Sequence, residues 1–389
     1  MPFMPAARAG VARAVAAGLL VAVAITSSRL GIANPLLAIF VLVLAWAWRR
    51  HELTGRPWAR PLLGPLALFV VTSVISVLAS ADLVESLNGV RRHFILAFVP
   101  LAAFLIDDTW WPRFVTALGI VTTLLAAWGI VQFLQGADNL ENRIRGPMSH
   151  YMIYAGWMLL AVLVLLADLL LRPGRQRWLL LAPALGGSLA ILMSLTRNAW
   201  IGLGVGLLLL AAIWKRWLLL AYPAIALIIW LALPRTVLDR AFSAVDPRQH
   251  SNYDRLCMAV SGVQMVRDYP ITGVGLGMVT RLYPLYRRDD APRWKVPHLH
   301  NNPLQIAAER GLPALGAYLW LLAAFFATTW RALPGLRGVR RAAVASSLVA
   351  ILGITVAGLF EYNFWSAPVQ YLTLVVIGAG VGMAERGVE

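Results

Sequence analysis

Apolar residues occur along this chain in blocks of about 15 to 22 residues, separated mostly by short polar connections. An α-helix of about 20 apolar residues crosses the roughly 30 Å hydrocarbon core of a bilayer with its backbone hydrogen bonds satisfied internally. The pattern therefore predicts an all-α integral membrane protein with about twelve transmembrane helices. The predicted spans are residues 11–30, 34–48, 61–80, 93–106, 114–134, 151–171, 178–195, 198–214, 217–233, 312–330, 342–360 and 366–385.

One long polar stretch, residues 234–310, interrupts this pattern between the ninth and tenth predicted spans. The composition agrees with a membrane protein, because 60% of the residues are hydrophobic and only 13% are charged. No appended soluble domain or internal repeat is recognisable. We therefore expect residues 1–389 to form a single polytopic membrane domain, with the loop 234–310 carrying much of the function.

The distribution of basic residues predicts the orientation of the chain. If the N-terminus is cytoplasmic, the cytoplasmic connections hold 17 of the 34 basic residues and the short external connections hold six. This bias follows the positive-inside rule and predicts that both termini are cytoplasmic. The remaining 11 basic residues lie in the loop 234–310, which is then external and net cationic.

Arginine is the dominant basic residue, since lysine occurs only at Lys215 and Lys295. A codon bias explains part of this preference. Guanidinium groups also bind phosphate bidentately, so an external, membrane-adjacent cluster suits a phosphate carried by a lipid. The net charge of +16 does not indicate nucleic-acid binding, because half of the bases act as topological signals in cytoplasmic turns.

The loop contains one predicted amphipathic helix. Ser251 to Asp254 fit an N-terminal capping box, and Tyr269-Pro270 ends the helical pattern. Arg255 lies in the first turn and is a ligand candidate, whereas Arg267 in the last turn also complements the helix dipole. The glycines of 273–277 follow no strand, which favours a plain turn over a phosphate loop. The expected apolar face comprises Leu256, Val260, Val263 and Val266.

Two histidines form the most specific local pattern. His298 and His300 precede Asn302-Pro303, which reads as a helix N-cap followed by proline in the first turn. A helix N-terminus disfavours imidazolium, so a neutral histidine here can accept a proton. Two alternatives stay open. The histidines could bind only loop backbone, or they could hold a metal, although neither cysteine nor a paired carboxylate is near in sequence.

Further polar residues occupy the short external turns. Arg197 lies at the tip of a predicted hairpin, where it could also snorkel to the interface. Arg143 and Arg145 share another turn, and Glu361 ends the penultimate span. For Glu361 we expect pairing with an arginine rather than a role as base.

These motifs together resemble the O-antigen ligase/polymerase family. The resemblance rests on Thr196-Arg197-Asn198-Ala199-Trp200, on the Arg255 helix leading to the glycines at 273–277, and on His300-Asn301 with Leu304, Gln305, Glu309 and Gly311. It covers roughly residues 140–365. Twelve spans with one dominant external loop after the ninth are similar to the ligase that completes lipopolysaccharide.

The resemblance implies a metal-independent, inverting glycosyltransferase of the bacterial inner membrane with a GT-C-like fold, a periplasmic active site and no cofactor. Its donor would be O-antigen on undecaprenyl pyrophosphate, and its acceptor a sugar hydroxyl of lipid A–core. His300 or His298 would be the base, and Asn301, Glu309 and Glu361 would support the site. The pyrophosphate would be bound by Arg197, Arg255 and Arg145, with Arg143 and Arg267 as further candidates.

Two other functions remain in play. An O-antigen polymerase or a protein O-oligosaccharyltransferase would use the same donor, but polymerases tend to divide their basic residues between two large external loops. A lipid-phosphate transporter would bind the lipid without chemistry. Transporters usually place polar residues at mid-membrane, whereas these spans are nearly free of charge at their centres.

Overall fold

The computed structural model describes residues 6–27, 30–49, 59–90, 93–220 and 249–387, with a few isolated positions between 221 and 248. Within these ranges the regular elements are helical. The α-helices are α1 Ala6–Thr26, α2 Leu30–Arg49, α3 Arg60–Leu78, α4 Leu83–Val90, α5 Phe98–Leu105, α6 Trp110–Leu134, α7 Tyr151–Leu171, α8 Leu181–Met193, α9 Arg197–Trp214, α10 His250–Asp268, α11 Val279–Tyr286, α12 Asn302–Ala332, α13 Gly338–Ala357 and α14 Ala367–Glu385.

Nine helical segments in the described part of the chain are long and apolar enough to cross a membrane. They comprise α2, α3, α6, α7, α8 with the 3-10 turn before it, α9, α12, α13 and α14. Each coincides with one of the spans predicted from hydropathy. The prediction of an all-helical, multi-pass membrane protein is therefore confirmed, whereas the count of twelve is not.

The other three predicted spans have different outcomes. Residues 11–30 correspond to α1, whose apolar run Val11–Thr26 is shorter than the nine. Residues 93–106 form a 3-10 turn and the eight-residue α5, too short to cross the bilayer, so that prediction is wrong. The segment is apolar because α5 is buried against α14. Most of 217–233 lies outside the described residues.

Helix α7 is the centre of the bundle. It is buried along most of its length, including Trp157, because α13, α8 and α9 pack around it. Small residues permit the closest approaches: a Cβ on Gly202 would lie 2.5 Å from the carbonyl oxygen of Gly353, so α9 and α13 touch through their backbones. Close packing of apolar and small side chains thus holds this part of the core together.

The two ends of the bundle differ in their chemistry. One end carries ion pairs between helix termini, for example Arg340 with Asp108 at 2.8 Å and Arg13 with Asp107. At the same end Arg386 donates to carbonyl oxygens at the end of α5. The starts of α7, α9, α12 and α14 and the end of α13 meet at the opposite end, which also receives α10 and α11.

The structure corrects two details predicted for α10. The helix begins at His250, and neither Gln249 nor Ser251 caps it, because the Ser251 hydroxyl instead accepts a hydrogen bond from Arg197. The expected apolar face is also wrong, since Leu256 and Val263 are more than half exposed. Its buried face packs on α11 and α12 and consists of Asp254, Cys257, Met258, Ser261, Gly262 and Met265.

Helix α12 contains a break near its start. Gly311 adopts φ 80°, which separates a short buried segment, 302–310, from the apolar remainder. The N-cap of α12 is Asn301 rather than the predicted Asn302. The side chain of Asn301 accepts a hydrogen bond from Leu304 N–H at 2.8 Å. Asn302 instead donates to Asn363 and accepts from Phe364 N–H, tying α12 to the connection after α13.

Candidate active site

His298, His300 and Glu361 meet where α12 begins and α13 ends. The Nδ1 atom of His300 lies 2.6 Å from Oε2 of Glu361, and Nε2 of His298 lies 3.4 Å from Oε1. The imidazole centroids are 4.3 Å apart. The expected arginine partner of Glu361 is not seen among the described residues, because the histidine loop occupies both carboxylate oxygens.

This geometry assigns a tautomer to each histidine. Nδ1 of His298 accepts the backbone N–H of His300 at 3.3 Å, so its proton resides on Nε2, which faces Glu361. A carboxylate only accepts, so His300 carries its proton on Nδ1. The Nε2 lone pair of His300 therefore has no hydrogen-bond donor among the described residues, whereas His298 uses both nitrogens.

Burial and charge determine which groups of this cluster ionise. Burial lowers the pKa of His298 to about 4, outweighing the charge of Glu361, so this ring is neutral at pH 7. Burial of Glu361 opposes its ionisation. The hydrogen bond from His300, with the fields of His300, His298 and Arg255, prevails and lowers its pKa. Glu361 is thus a carboxylate, and His298 beside it is a neutral imidazole.

A cavity of about 640 Å³ opens beside the cluster. That volume is within the range of small-molecule sites. His298, His300 and Glu361 form one side of it. The other residues on its wall include His150, Tyr151, Glu85, Asn88, Thr280, Arg293, Gln305, Arg310, Tyr362 and Trp365.

Arg197 is buried at the start of α9, with 7% of its surface exposed. Its guanidinium donates to three side-chain oxygens: Ser243 at 3.0 Å, Ser251 at 3.1 Å and Asn252 at 2.6 Å. These partners are all neutral, so within the described ranges its charge is oriented but not paired with a carboxylate. A buried cation in that condition favours an anionic ligand.

Arg143 and Arg255 extend this positive region towards the histidines. The Arg143 guanidinium lies 4.3 Å from the ring centre of Tyr151, and burial together with repulsion from Arg255 lowers its pKa. Arg255 also acts electrostatically on Arg197, His298 and Glu361. It makes no hydrogen bond or ion pair to another described residue, and thus lies between the two groups with its charge available.

The two remaining arginine candidates are placed differently. Arg145 is exposed in the turn before α7, near enough to interact electrostatically with His150. Arg267 is exposed in the last turn of α10, whereas Arg255 is in its first. Twelve residues of helix separate them by about 18 Å. The structure therefore brings Arg143, Arg197 and Arg255 together and leaves Arg267 apart.

Glu309 joins the histidine loop to the floor of the cavity. Its carboxylate accepts from Gly277 N–H at 3.0 Å and from the Gln305 amide at 2.9 Å, and it pairs with Arg310 at 2.8 Å. Gln305 in turn accepts from the N–H of Leu299, the residue between the two histidines, at 2.7 Å. Glu309 is thus a structural support for the loop and not a free acid.

Sequence reasoning missed Arg310, which is 1% exposed and lies in the cavity wall. Its guanidinium lies 4.7 Å from the ring centre of Trp365 and 5.6 Å from that of Phe69. A signal was present, because a glutamate–arginine pair directly before an apolar span is costly unless the two residues pair. His150 was also missed, since a single histidine before an apolar helix carries no pattern.

His298, His300 and Glu361 form the one group in the described chain with metal-ligand chemistry, their ligand atoms lying within 4.8 Å of one another. Two imidazoles and a carboxylate suit zinc. A metal bound through the ring nitrogens that face Glu361 would have to displace the protons they now carry, whereas Nε2 of His300 already offers a lone pair. The absence of a metal requirement stays a prediction.

Residues 180–319 match the model of the family described as O-antigen ligase. The match covers 140 of the 389 residues, and over that region the chain is similar to the O-antigen ligase family. A search of curated proteins found no match. The matched region contains Arg197, Arg255, His298 and His300, whereas Glu361 and the Arg143 turn lie outside it. The match supports, at a general level, an enzyme of the ligase or polymerase type that takes a lipid-linked sugar donor and a lipid acceptor.

Proposed function

We propose that this protein is an O-antigen ligase that transfers O-antigen from undecaprenyl pyrophosphate to a sugar hydroxyl of lipid A–core. The reaction would be inverting and metal-independent, on the periplasmic side of the bacterial inner membrane with both termini cytoplasmic. One observation supports this proposal above all. A histidine oriented by a carboxylate shares one end of the bundle with arginines that lack carboxylate partners among the described residues.

In this mechanism His300 is the base. Its Nδ1–H donates to Glu361, which leaves Nε2 to accept the proton of the acceptor hydroxyl as that oxygen attacks the anomeric carbon. A carboxylate that orients the base also stabilises the imidazolium formed in the transition state. His298, with both nitrogens engaged, positions the loop.

Arg197, Arg255 and Arg143 bind the pyrophosphate of the donor, with Arg145 at the entrance. Their charges repel one another when the site is empty, so an anion relieves that repulsion. They would also stabilise the charge that develops on the pyrophosphate as the bond to the sugar breaks. Arg267 is too distant to share in this role.

Purified protein with lipid-linked O-antigen and lipid A–core tests the proposal. The joined product is expected without added divalent metal and in the presence of a chelator. His300→Ala should lower the rate about 10²- to 10⁴-fold, since it removes general-base catalysis. Substituting Arg197 or Arg255 with Lys should weaken donor use more than acceptor use. Arg267→Lys, at the far end of α10, is the matched control and should behave as wild type.

Three results would contradict the proposal in different ways. A product that is a longer lipid-linked polymer, made without lipid A–core, would identify a polymerase. Loss of activity with chelator, restored by zinc, would identify the histidine cluster as a metal centre. Full activity in His300→Ala would remove the histidine base.

A further inference from the structure

His150 is a third histidine at the cavity, outside the region that matches the family model. It immediately precedes α7 and lies on the cavity wall that also contains His298, His300 and Glu361. The mechanism above does not use it. Its neighbours and its hydrogen bond define what it can do.

The hydrogen bond of His150 fixes its tautomer. As the N-cap of α7, its Nδ1 accepts the backbone N–H of Met152 at 3.2 Å. A ring nitrogen that accepts has no proton, so the neutral ring carries its proton on Nε2. Partial desolvation of this exposed side chain, with the charges of His300, Arg143 and Arg145, lowers the pKa of His150 despite Glu361, which favours the neutral form. The ring is thus a donor at one nitrogen only.

The ring of His150 is close to both the histidine–glutamate cluster and the arginines of the turn before α7. Its centroid is 4.2 Å from that of Tyr151, on whose ring Arg143 lies. It also interacts electrostatically with Glu361 and His300 on one side and with Arg143 and Arg145 on the other. His150 is thus a cavity residue close to both the histidine cluster and the Arg143 turn.

We propose that His150 donates a hydrogen bond from Nε2 to a phosphoryl oxygen of the donor pyrophosphate, at the phosphate that carries the sugar. This inference rests on the proposed function and deepens it. In the proposed mechanism the phosphate bonded to the reacting sugar is near both the base and the arginines, and His150 interacts electrostatically with members of both groups. A neutral donor stabilises the leaving oxygen without adding a fourth cation to arginines that already repel one another.

Two substitutions separate the roles of the two ring nitrogens. His150→Asn keeps an oxygen that caps α7 but removes the donor at Nε2. His150→Gln places an amide N–H near the Nε2 position and is a poor cap. We expect His150→Asn to melt like wild type and to turn over about 10²- to 10³-fold more slowly. His150→Gln should melt at a lower temperature and recover part of the rate. Ser149→Ala, an exposed neighbour, is the control and should match wild type.

Binding of undecaprenyl pyrophosphate, the lipid product, provides a second measurement. His150→Asn should bind it about tenfold more weakly or worse, because a hydrogen bond to a charged group is lost, whereas His300→Ala should bind it normally. If wild type transfers sugar and His150→Asn matches it in rate and affinity, this inference is overturned and His150 is only a cap. If wild type neither transfers sugar nor binds the lipid, the proposed function itself fails.

Discussion

The side chain of Glu361 accepts a hydrogen bond that decides where the proton of His300 resides. It accepts from Nδ1 of His300, 61 positions earlier in the chain, and lies near Nε2 of His298. Because its pKa is lowered, it remains a carboxylate and can only accept. The basic nitrogen of His300 is therefore determined by a residue on a different element.

Replacing Glu361 with Gln tests this dependence. The amide is nearly isosteric but can donate to Nδ1 of His300, which would move the ring proton to Nε2 and abolish the base. We expect transfer to slow by about 10²- to 10⁴-fold with little change in donor affinity. Initial rates and lipid binding measure the two effects. Glu141→Gln, in the exposed turn before α7, should match wild type. An unchanged rate in Glu361→Gln would contradict the tautomer assignment.

Sequence reasoning reached the candidate site only in part. His298 and His300 were identifiable because they stand together before a helix start, and Glu361 because it ends a span on the same side. The pairing of Glu361 with these histidines could not be predicted, because residues 61 positions apart meet only through the packing of α12 and α13. His150 is a single polar residue beside an apolar segment, and nothing local marks it as a cavity residue, whereas the Glu309-Arg310 pair before an apolar span was a local signal for a buried ion pair.

At the scale of elements, the break at Gly311 determines the shape of α12. A side chain there would place Cβ 2.0 Å from the carbonyl oxygen of Ile271, and φ 80° is itself unfavourable for an L-residue. The break lets Leu312 N–H donate to the carbonyl of Pro270 at 2.7 Å, which joins α12 to the end of α10. The segment bearing Gln305 and Glu309 thereby turns into the site.

We expect Gly311→Ala to lower the free energy of unfolding by about 1–3 kcal/mol and to reduce transfer, because the segment under the histidine loop must shift. Gly316→Ala is the matched control in the same helix. No atom lies within 4 Å of its added Cβ, so it should be neutral or stabilise by up to about 1 kcal/mol. Thermal melting and initial rates in detergent measure both. Equal behaviour of the two variants would argue against the break as a structural requirement.

Hydropathy predicted most long helices because an apolar segment that crosses lipid must form its backbone hydrogen bonds internally, which a helix does. It failed for 93–106, where apolar residues face protein rather than lipid, since composition cannot distinguish these two surroundings. The face of α10 was mispredicted for a related reason. Gly262 lets Leu299 and Leu304 approach closely, so a glycine rather than the valines marks the buried side.

At the scale of the whole molecule, labelling the two ends of the helix bundle tests the predicted orientation of the chain in the membrane. Cys257 is the single cysteine, so Cys257→Ser provides a background for labelling. Ser149→Cys lies at the cavity end and Arg175→Cys at the ion-paired end, and both positions are exposed. In intact cells an impermeant maleimide should label Ser149→Cys, and should label Arg175→Cys only after lysis. The reverse result would invert the topology and place the cavity in the cytoplasm.

The length of the buried helix α7 indicates the depth of the candidate site relative to the bilayer. Its 21 residues extend about 30 Å, close to the thickness of the hydrocarbon layer, and His150 stands at its tip. We therefore expect the candidate reacting groups to lie at the level of the lipid phosphates. A lipid-borne substrate can reach them by diffusing sideways, with its hydrocarbon tail still in the bilayer. For the proposed polyprenyl donor, the encounter would be a search in two dimensions, and no energy would be spent in moving its long chain into water.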